Sequence, residues 1–285
     1  MPQNPEKAKL RLENMQAIEP LLMALRTISL ANWNLALKKQ KSLKSYACDL
    51  ENIYFFLNSS KNIIQTPPSK AKSLIFILGS NRGLCGNFNS DISNFTKDHI
   101  PDLQTKSTKF IIVGSRLLKR IKRKNLNIDK YESMDAFNSI TLESVSQVFD
   151  HYQLHEPENR NTSVIYNHYQ GAGKYQTKII PLFGDISSRV GIGTEEIDQD
   201  TIIDTNVDEM ISRLIIKLGK LALYSAFLSS AASEHSTRFQ LMESASKNAE
   251  KISDEVAIEI QLQRRQKITS EMRELAIGAG LLDNI

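Results

Sequence analysis

ISRLIIKLGKLALYSAFLSSAASEHSTRFQLMESASKNAEKISDEVAIEI, residues 211–260, is the stretch on which the fold turns. Ile211, Leu214, Leu218, Leu221, Leu228, Ala232, Phe239, Met242, Ala249, Val256 and Ile260 fall on one alternating spacing of three and four. Only Ser225, His235, Ser246 and Ser253 interrupt it. That period places the apolar residues on one stripe of an α-helix. Between Asp208 and Ile277 there is no proline, and Gly219 is the only glycine. About 70 helical residues at 1.5 Å each span roughly 105 Å. Compact globular domains rarely hold such a helix, so a coiled coil is the natural reading.

The partner helix lies at the other end of the chain. Residues from about 5 to 60 contain no glycine, and Pro20 is the only proline after Pro5. Apolar residues recur at Ile18, Leu21, Leu22, Leu25, Ile28 and Leu35, then at Leu43, Tyr46, Leu50, Ile53 and Leu57. Each half keeps a period near 3.5, with a small change of register between them that predicts a stutter. Pro20 predicts a kink, or the start of the main helical segment.

Between the helices the pattern changes at Thr66-Pro67-Pro68-Ser69, a breaker. Four short apolar runs follow: 73–78, 109–114, 162–166 and 177–182. Helical patterns lie around residues 90–99, 115–124 and 142–152. Strands alternating with helices predict a mostly parallel, Rossmann-like α/β domain. The polar segment Gly191 to Asp200 precedes the last helix. The expected organisation is an N-terminal coiled-coil helix in residues 1–62, an α/β domain in 70–190 and a C-terminal coiled-coil helix in 205–285. The fold class is α/β, a long antiparallel coiled coil with an inserted Rossmann-like domain. The antiparallel sense follows because the two helices must bury their stripes together while the insert joins their ends.

Charged residues are 24% and hydrophobic residues 41% of the chain, an ordinary soluble balance. No run of about 18 apolar residues predicts a transmembrane helix. Met1-Pro2-Gln3-Asn4-Pro5 has neither the apolar core of a secretory signal nor the Arg-rich pattern of a transit peptide. Cys48 and Cys85 are too few for a disulfide framework and fit a reducing compartment. A net charge of +4 names no partner by itself.

The chain resembles the gamma subunits of rotary F-type ATP synthases over nearly its whole length. After the first strand that family carries Ser-Asp-Arg-Gly-Leu-Cys-Gly. Here the loop reads Ser80-Asn81-Arg82-Gly83-Leu84-Cys85-Gly86, followed by Asn87-Phe88-Asn89. In the last helix, Met242, Ala245, Asn248 and Ala249 match the family's Met and Asn-Ala stretch. Arg264 and Ile268-Thr269-Ser270-Glu271 match its Arg-Gln-x-x-Ile-Thr-x-Glu segment, and Gly278-Ala279 its near-terminal Gly-Ala. Asn81 replaces the usual Asp, Arg265 the usual Gln, and Glu19 to Arg26 the usual basic start. The inserted cysteine pair of the light-regulated chloroplast form is absent. These departures point to a divergent bacterial branch or a paralogue.

The resemblance implies a central-stalk rotor with no catalytic residue, no cofactor and no metal. Its implied partners are the alpha and beta subunits of the catalytic ring, an epsilon subunit and the membrane c-ring. No nucleic acid is implied, and membrane contact comes only through the complex, at the cytoplasmic face of a bacterial inner membrane. The implied contacts with the ring are Leu25, Arg26, Arg264, Arg265, Thr269 and Glu271. Arg82, Gly83 and Gly86 form a structural loop.

Other readings of the same residues compete. The glycines after the first strand could cradle a phosphate, but the spacing is neither Gly-x-Gly-x-x-Gly nor a Lys-bearing P-loop. Cys85 could be a nucleophile, but no His or Asp is placed to activate it. Arg264 and Arg265 could be solvated near Glu259 and Glu271. Lys119-Arg120-Ile121-Lys122-Arg123-Lys124 reads as a solvated helix end, a lipid-facing run or a nucleic-acid patch. His151 and His155 lack a third metal ligand. A small α/β enzyme with oligomerising helices, a specialised rotary ATPase subunit and a non-rotating coiled-coil adaptor remain the alternative classes.

Overall fold

A computed structural model describes residues 5–59, 73–103, 108–123, 131–134, 139–155, 161–183 and 206–279. The breaker at 66–69 and the polar segment at 191–200 lie outside the described residues.

Helix α1 runs from Pro5 to Ser59 and helix α5 from Val207 to Gly278. Between them lie β1 (Ser73–Leu78), α2 (Phe88–Leu103), β2 (Lys109–Val113), α3 (Ser115–Arg123), β3 (Tyr131–Met134), α4 (Leu142–His155), β4 (Asn161–Gly171) and β5 (Lys174–Pro181). The strands form one sheet in the order β3-β2-β1-β4-β5. All neighbours are parallel except β4 and β5, which form a hairpin closed at Ala172-Gly173, with Gly173 at φ 63°. Strand β3 was not legible as an apolar run, and β5 is an antiparallel edge strand rather than another buried parallel one.

Alternation along each strand sorts side chains to the two faces. Ile75, Ile77, Phe110, Ile112 and Ile165 pack against Phe88 and Ile92 of α2 and Leu117 and Ile121 of α3. Leu74, Phe76, Leu78, Ile111, Val113, Val164 and Tyr166 pack on the opposite face. There they meet Val145 and Phe149 of α4, Leu43 of α1 and Leu221 to Leu228 of α5. Burying a Leu, Ile or Phe side chain contributes about 1.5–3 kcal/mol, so these two clusters carry most of the domain's stability.

The middle of α5 is covered on more than its stripe. Leu223, Ala226, Phe227, Leu228, Ala232 and Ser233 are all buried. Serines in this stretch bind the strand they cross: the Tyr169 amide donates to Ser229 Oγ at 2.9 Å, and Ser233 Oγ donates to the Asn167 carbonyl at 2.9 Å. The most apolar 18-residue window of α5 reaches a mean hydropathy of 1.4, but 56% of it is buried inside the protein. Its apolarity is that of a core helix. Gly219 packs closely under Phe183, whose ring a Cβ there would meet at 2.7 Å.

By its contacts the chain divides into two units, one of Met1–Ile28 with Phe239–Ile285, the other of Ser29–Arg238. In the first, Ala8 and Leu12 pack with Ile252, Val256 and Ile260. In the second, Trp33 lies 6.3 Å from Tyr169, which bonds Ser229, while Lys217 lies over the Tyr46 ring. Higher numbers in α1 therefore meet lower numbers in α5, and the pair is antiparallel.

The α1 seam differs from the sequence expectation. The positions 8, 12, 15, 19, 22, 26, 29, 33, 36, 40, 43, 47, 50, 54 and 57 alternate by four and three, and none is exposed. No stutter breaks this series. Ile18, Leu21, Ile28 and Leu35, read as stripe residues, are 42%, 60%, 51% and 48% exposed. Leu22, Leu43, Leu50 and Leu57, also read as stripe residues, do lie on the series, which also holds small residues such as Ala8, Ser29 and Ala36. The small residues let two helices approach closely but carry little apolar signal in the sequence. The helix also starts at Pro5 and runs on through Pro20, so Pro20 does not open its main segment. Pro20 and Gln16, whose carbonyl loses its i+4 donor, are exposed, and water can satisfy the carbonyl.

Candidate functional site

The loop after β1 is built by its own side chains. The Ser80 amide donates to Asn89 Oδ1 at 3.0 Å, and Asn89 Nδ2 donates to Ser80 Oγ at 2.8 Å. Ser80 Oγ donates to the Arg82 carbonyl at 2.8 Å. Asn81 Oδ1 accepts from the Ser115 amide at 3.1 Å, so the residue standing in place of the family's Asp caps α3. Gly86 has φ 58°, a conformation glycine takes at little cost. Leu84 has φ 61° and is 60% exposed, an unusual backbone for a branched apolar residue.

Helix α5 closes this loop from the other side. Arg238 Nε donates to the Gly83 carbonyl at 3.3 Å, while Nη2 pairs with Glu234 and Nη1 approaches His235 Nδ1 at 3.2 Å. Arg238 and Glu234 are both largely buried, at 7% and 16% side-chain exposure. Burial pushes the Glu234 carboxyl up, against the pull of the Arg238 and Arg82 charges. Burial and the same two arginines push His235 down to about 4. His235 is therefore neutral, and its Nδ1 accepts from the guanidinium. Arg82 is itself exposed; its role toward α5 is the field it places on Glu234 and His235.

Phosphate and nucleophile chemistry find no support in this geometry. A Cβ on Gly79 would meet Leu117 at 2.3 Å, and one on Gly114 would meet the Gly79 and Ser80 backbone at 2.7–2.8 Å. These glycines allow close packing of the β1 and β2 ends. In doubly wound sheets ligands bind at the carboxyl ends where strand order reverses. Here that point lies between β1 and β4, and Arg238 and the α5 serines occupy it. Cys85 is 2% exposed, and burial followed by the Glu234 charge pushes its thiol up. It is a protonated packing group. Among the described residues no group of His, Cys, Asp and Glu could hold a metal ion.

The ring-contact residues read from the sequence lie apart from this loop in the chain, and in the other unit. Arg264, Arg265, Thr269 and Glu271 are all exposed on α5. Their bonds are local: Thr269 Oγ1 donates to the Arg265 carbonyl at 2.8 Å, and Glu271 lies 3.8 Å from Lys267. Glu259 accepts from Gln263 at 3.1 Å. Neither neighbouring carboxylate is therefore taken up by the arginines. Leu25 and Arg26 are partly exposed, with Arg26 on the α1 seam series. After Gln263 the helix is exposed except at Ala276, and Ile268, Met272, Leu275 and Ile277 show 53–74% of their surface.

Sequence reasoning missed Glu234 and Arg238. The available signal was an acid and a base four residues apart just beyond a stretch of α5 covered on most sides, where an ion pair must find partners.

Two long antiparallel helices with an α/β insert, and side chains of the second helix lying at the sheet's switch point, define a stalk-type fold. The family model described as ATP synthase matches residues 4–282. The ATP synthase gamma chain of Wolbachia sp. subsp. Brugia malayi is 28% identical over 286 residues, covering 96% of this chain and 98% of its own. That of Pelagibacter ubique is 24% identical, covering 95% and 97%. A chain of the Euglena gracilis mitochondrial ATP synthase, OSCP/F1/c-ring, superposes with TM-score 0.64 at 16% identity, covering 99% and 97%. The chain belongs to the ATP synthase family, among its gamma chains.

Proposed function

We propose that this chain is the central-stalk rotor that couples ion flow through the membrane sector to ATP synthesis or hydrolysis in an alpha/beta ring. The observation that carries this is the family match across 4–282, on a fold of two long antiparallel helices. The subunit is non-catalytic; it acts by presenting different faces to the beta subunits. Each face biases a beta subunit between open and closed states through differential contact. Its partners are the alpha and beta subunits, epsilon and the c-ring. Its place is the cytoplasmic face of a bacterial inner membrane.

Within this reading the segments 1–62 and 205–285 form the shaft and 70–190 the α/β domain joined to it. Leu25, Arg26, Arg264, Arg265, Thr269 and Glu271 touch the ring. The exposed, locally bonded state of the α5 residues supports such a role, because guanidinium groups without carboxylate partners are open to a partner's carboxylates or carbonyls. The large exposed aliphatics of α1 and of the α5 end support it as well, since an isolated shaft has no other use for them.

Co-purification tests the proposal. Tagged chain should bring down alpha- and beta-type subunits at one copy per three of each. Recovery without them, or equal copies of all three, contradicts it. The purified chain alone should hydrolyse no ATP.

A further inference from the structure

Helix α3 carries a face that neither the sheet nor the proposed ring contacts use. Leu117 and Ile121 are buried in the core, while Arg116, Lys119, Arg120, Lys122 and Arg123 are exposed. At 100° per residue the five cations fill one continuous arc opposite the buried pair. They sit three and four residues apart, so each repels its neighbours. Among the described residues no carboxylate pairs with any of them. Arg116 leans over Gly83, within 4 Å of where a Cβ would stand. The other four are exposed.

From this we infer that the α3 face adsorbs electrostatically to an anionic phospholipid surface. The inference rests on the rotor reading, which sets the chain beside a membrane. It adds a direct contact to the one made through the complex. The chemistry favours headgroups over other polyanions. The face is the outside of a single helix, with no groove to seat an extended strand. It carries no exposed aromatic on which bases could stack. Its apolar side is fixed in the core, so it cannot insert; it can only approach a charged plane. Polybasic segments gain membrane affinity additively with each Lys or Arg, within a Debye length of the surface. A fluid headgroup layer offers no fixed register, so such a contact does not oppose rotation.

The test is co-sedimentation of the purified full chain with vesicles of phosphatidylcholine alone or with 30 mole per cent (about a third) phosphatidylglycerol. Binding should require the anionic lipid and disappear in about 0.5 M salt, where the Debye length falls below roughly 5 Å. The quadruple variant Lys119→Gln, Arg120→Gln, Lys122→Gln and Arg123→Gln should lose affinity by roughly a thousandfold. Its helix content and its co-assembly with alpha and beta subunits should be unchanged. Equal binding of variant and parent, or no preference for anionic vesicles, overturns the inference. So does tighter binding to duplex DNA than to vesicles at matched phosphate concentration. Loss of co-assembly by the parent chain would instead strike the rotor reading, so the two failures are distinguishable.

Discussion

Arg238 uses Nε, Nη1 and Nη2 for three different partners, the Gly83 carbonyl, His235 and Glu234. This hub ties the loop after β1 to α5, and it makes His235 a measurable reporter. With a folded pKa near 4 against 6.5 unfolded, His235 binds fewer protons in the native state. Its contribution is full above pH 6.5 and is lost as pH falls toward 4, by up to about 3 kcal/mol. The raised carboxyl of Glu234 has the opposite sign above its unfolded value. The difference between parent and His235→Gln isolates the histidine. Chemical denaturation should show the parent losing more stability than the variant between pH 7 and 4. Parallel curves would remove His235 from the account.

Along α1, two adjacent residues should respond very unequally. Ala36 is 5% exposed on the seam series, and Leu35 is 48% exposed beside it. Ala36→Leu overfills a closely packed contact and should cost about 1–3 kcal/mol. Leu35→Gln should change the isolated chain by less than about 0.5 kcal/mol. Thermal unfolding followed by circular dichroism reads both; the reverse order would mean the seam is misassigned. On α5, Leu228→Asp places a charge where the side chain is 1% exposed and should prevent folding or assembly.

The helices and their pairing were legible in the sequence because long periodic segments without breakers admit few alternatives. The α5 stripe was read correctly at Leu221, Leu228, Met242 and Val256, all buried. The α1 stripe was read correctly at Leu22, Leu43, Leu50 and Leu57 but not at Ile18, Leu21, Ile28 and Leu35, because apolarity marks any large aliphatic, including those facing out, while a tight seam also takes alanine and serine. Strand β3, Tyr-Glu-Ser-Met, has no apolar run to find and is placed by pairing with β2. The loop motif named Arg82, Gly83 and Gly86, yet the residue that holds the loop is Arg238, 155 positions away from Gly83. Such a contact leaves no local trace.

For the whole molecule, Arg264 and Arg265 should matter only in the complex. Both are exposed, so replacing them with Ala should leave the isolated chain's helix content unchanged. A desolvated charge-assisted contact contributes about 1.5–3 kcal/mol, enough to change an equilibrium about tenfold or more. The double variant should therefore slow ATP turnover or uncouple pumping in the assembled enzyme. Full activity in every assay would leave these arginines as a solvated face.

The central claim is that this chain turns inside a threefold ring. Ala172→Cys, at the exposed hairpin turn, gives a site for a bead. With the alpha/beta ring fixed to a surface and ATP supplied, the bead should rotate in one direction, with three dwells per turn. A bead that fluctuates without net rotation, while the ring still hydrolyses ATP, would contradict the account.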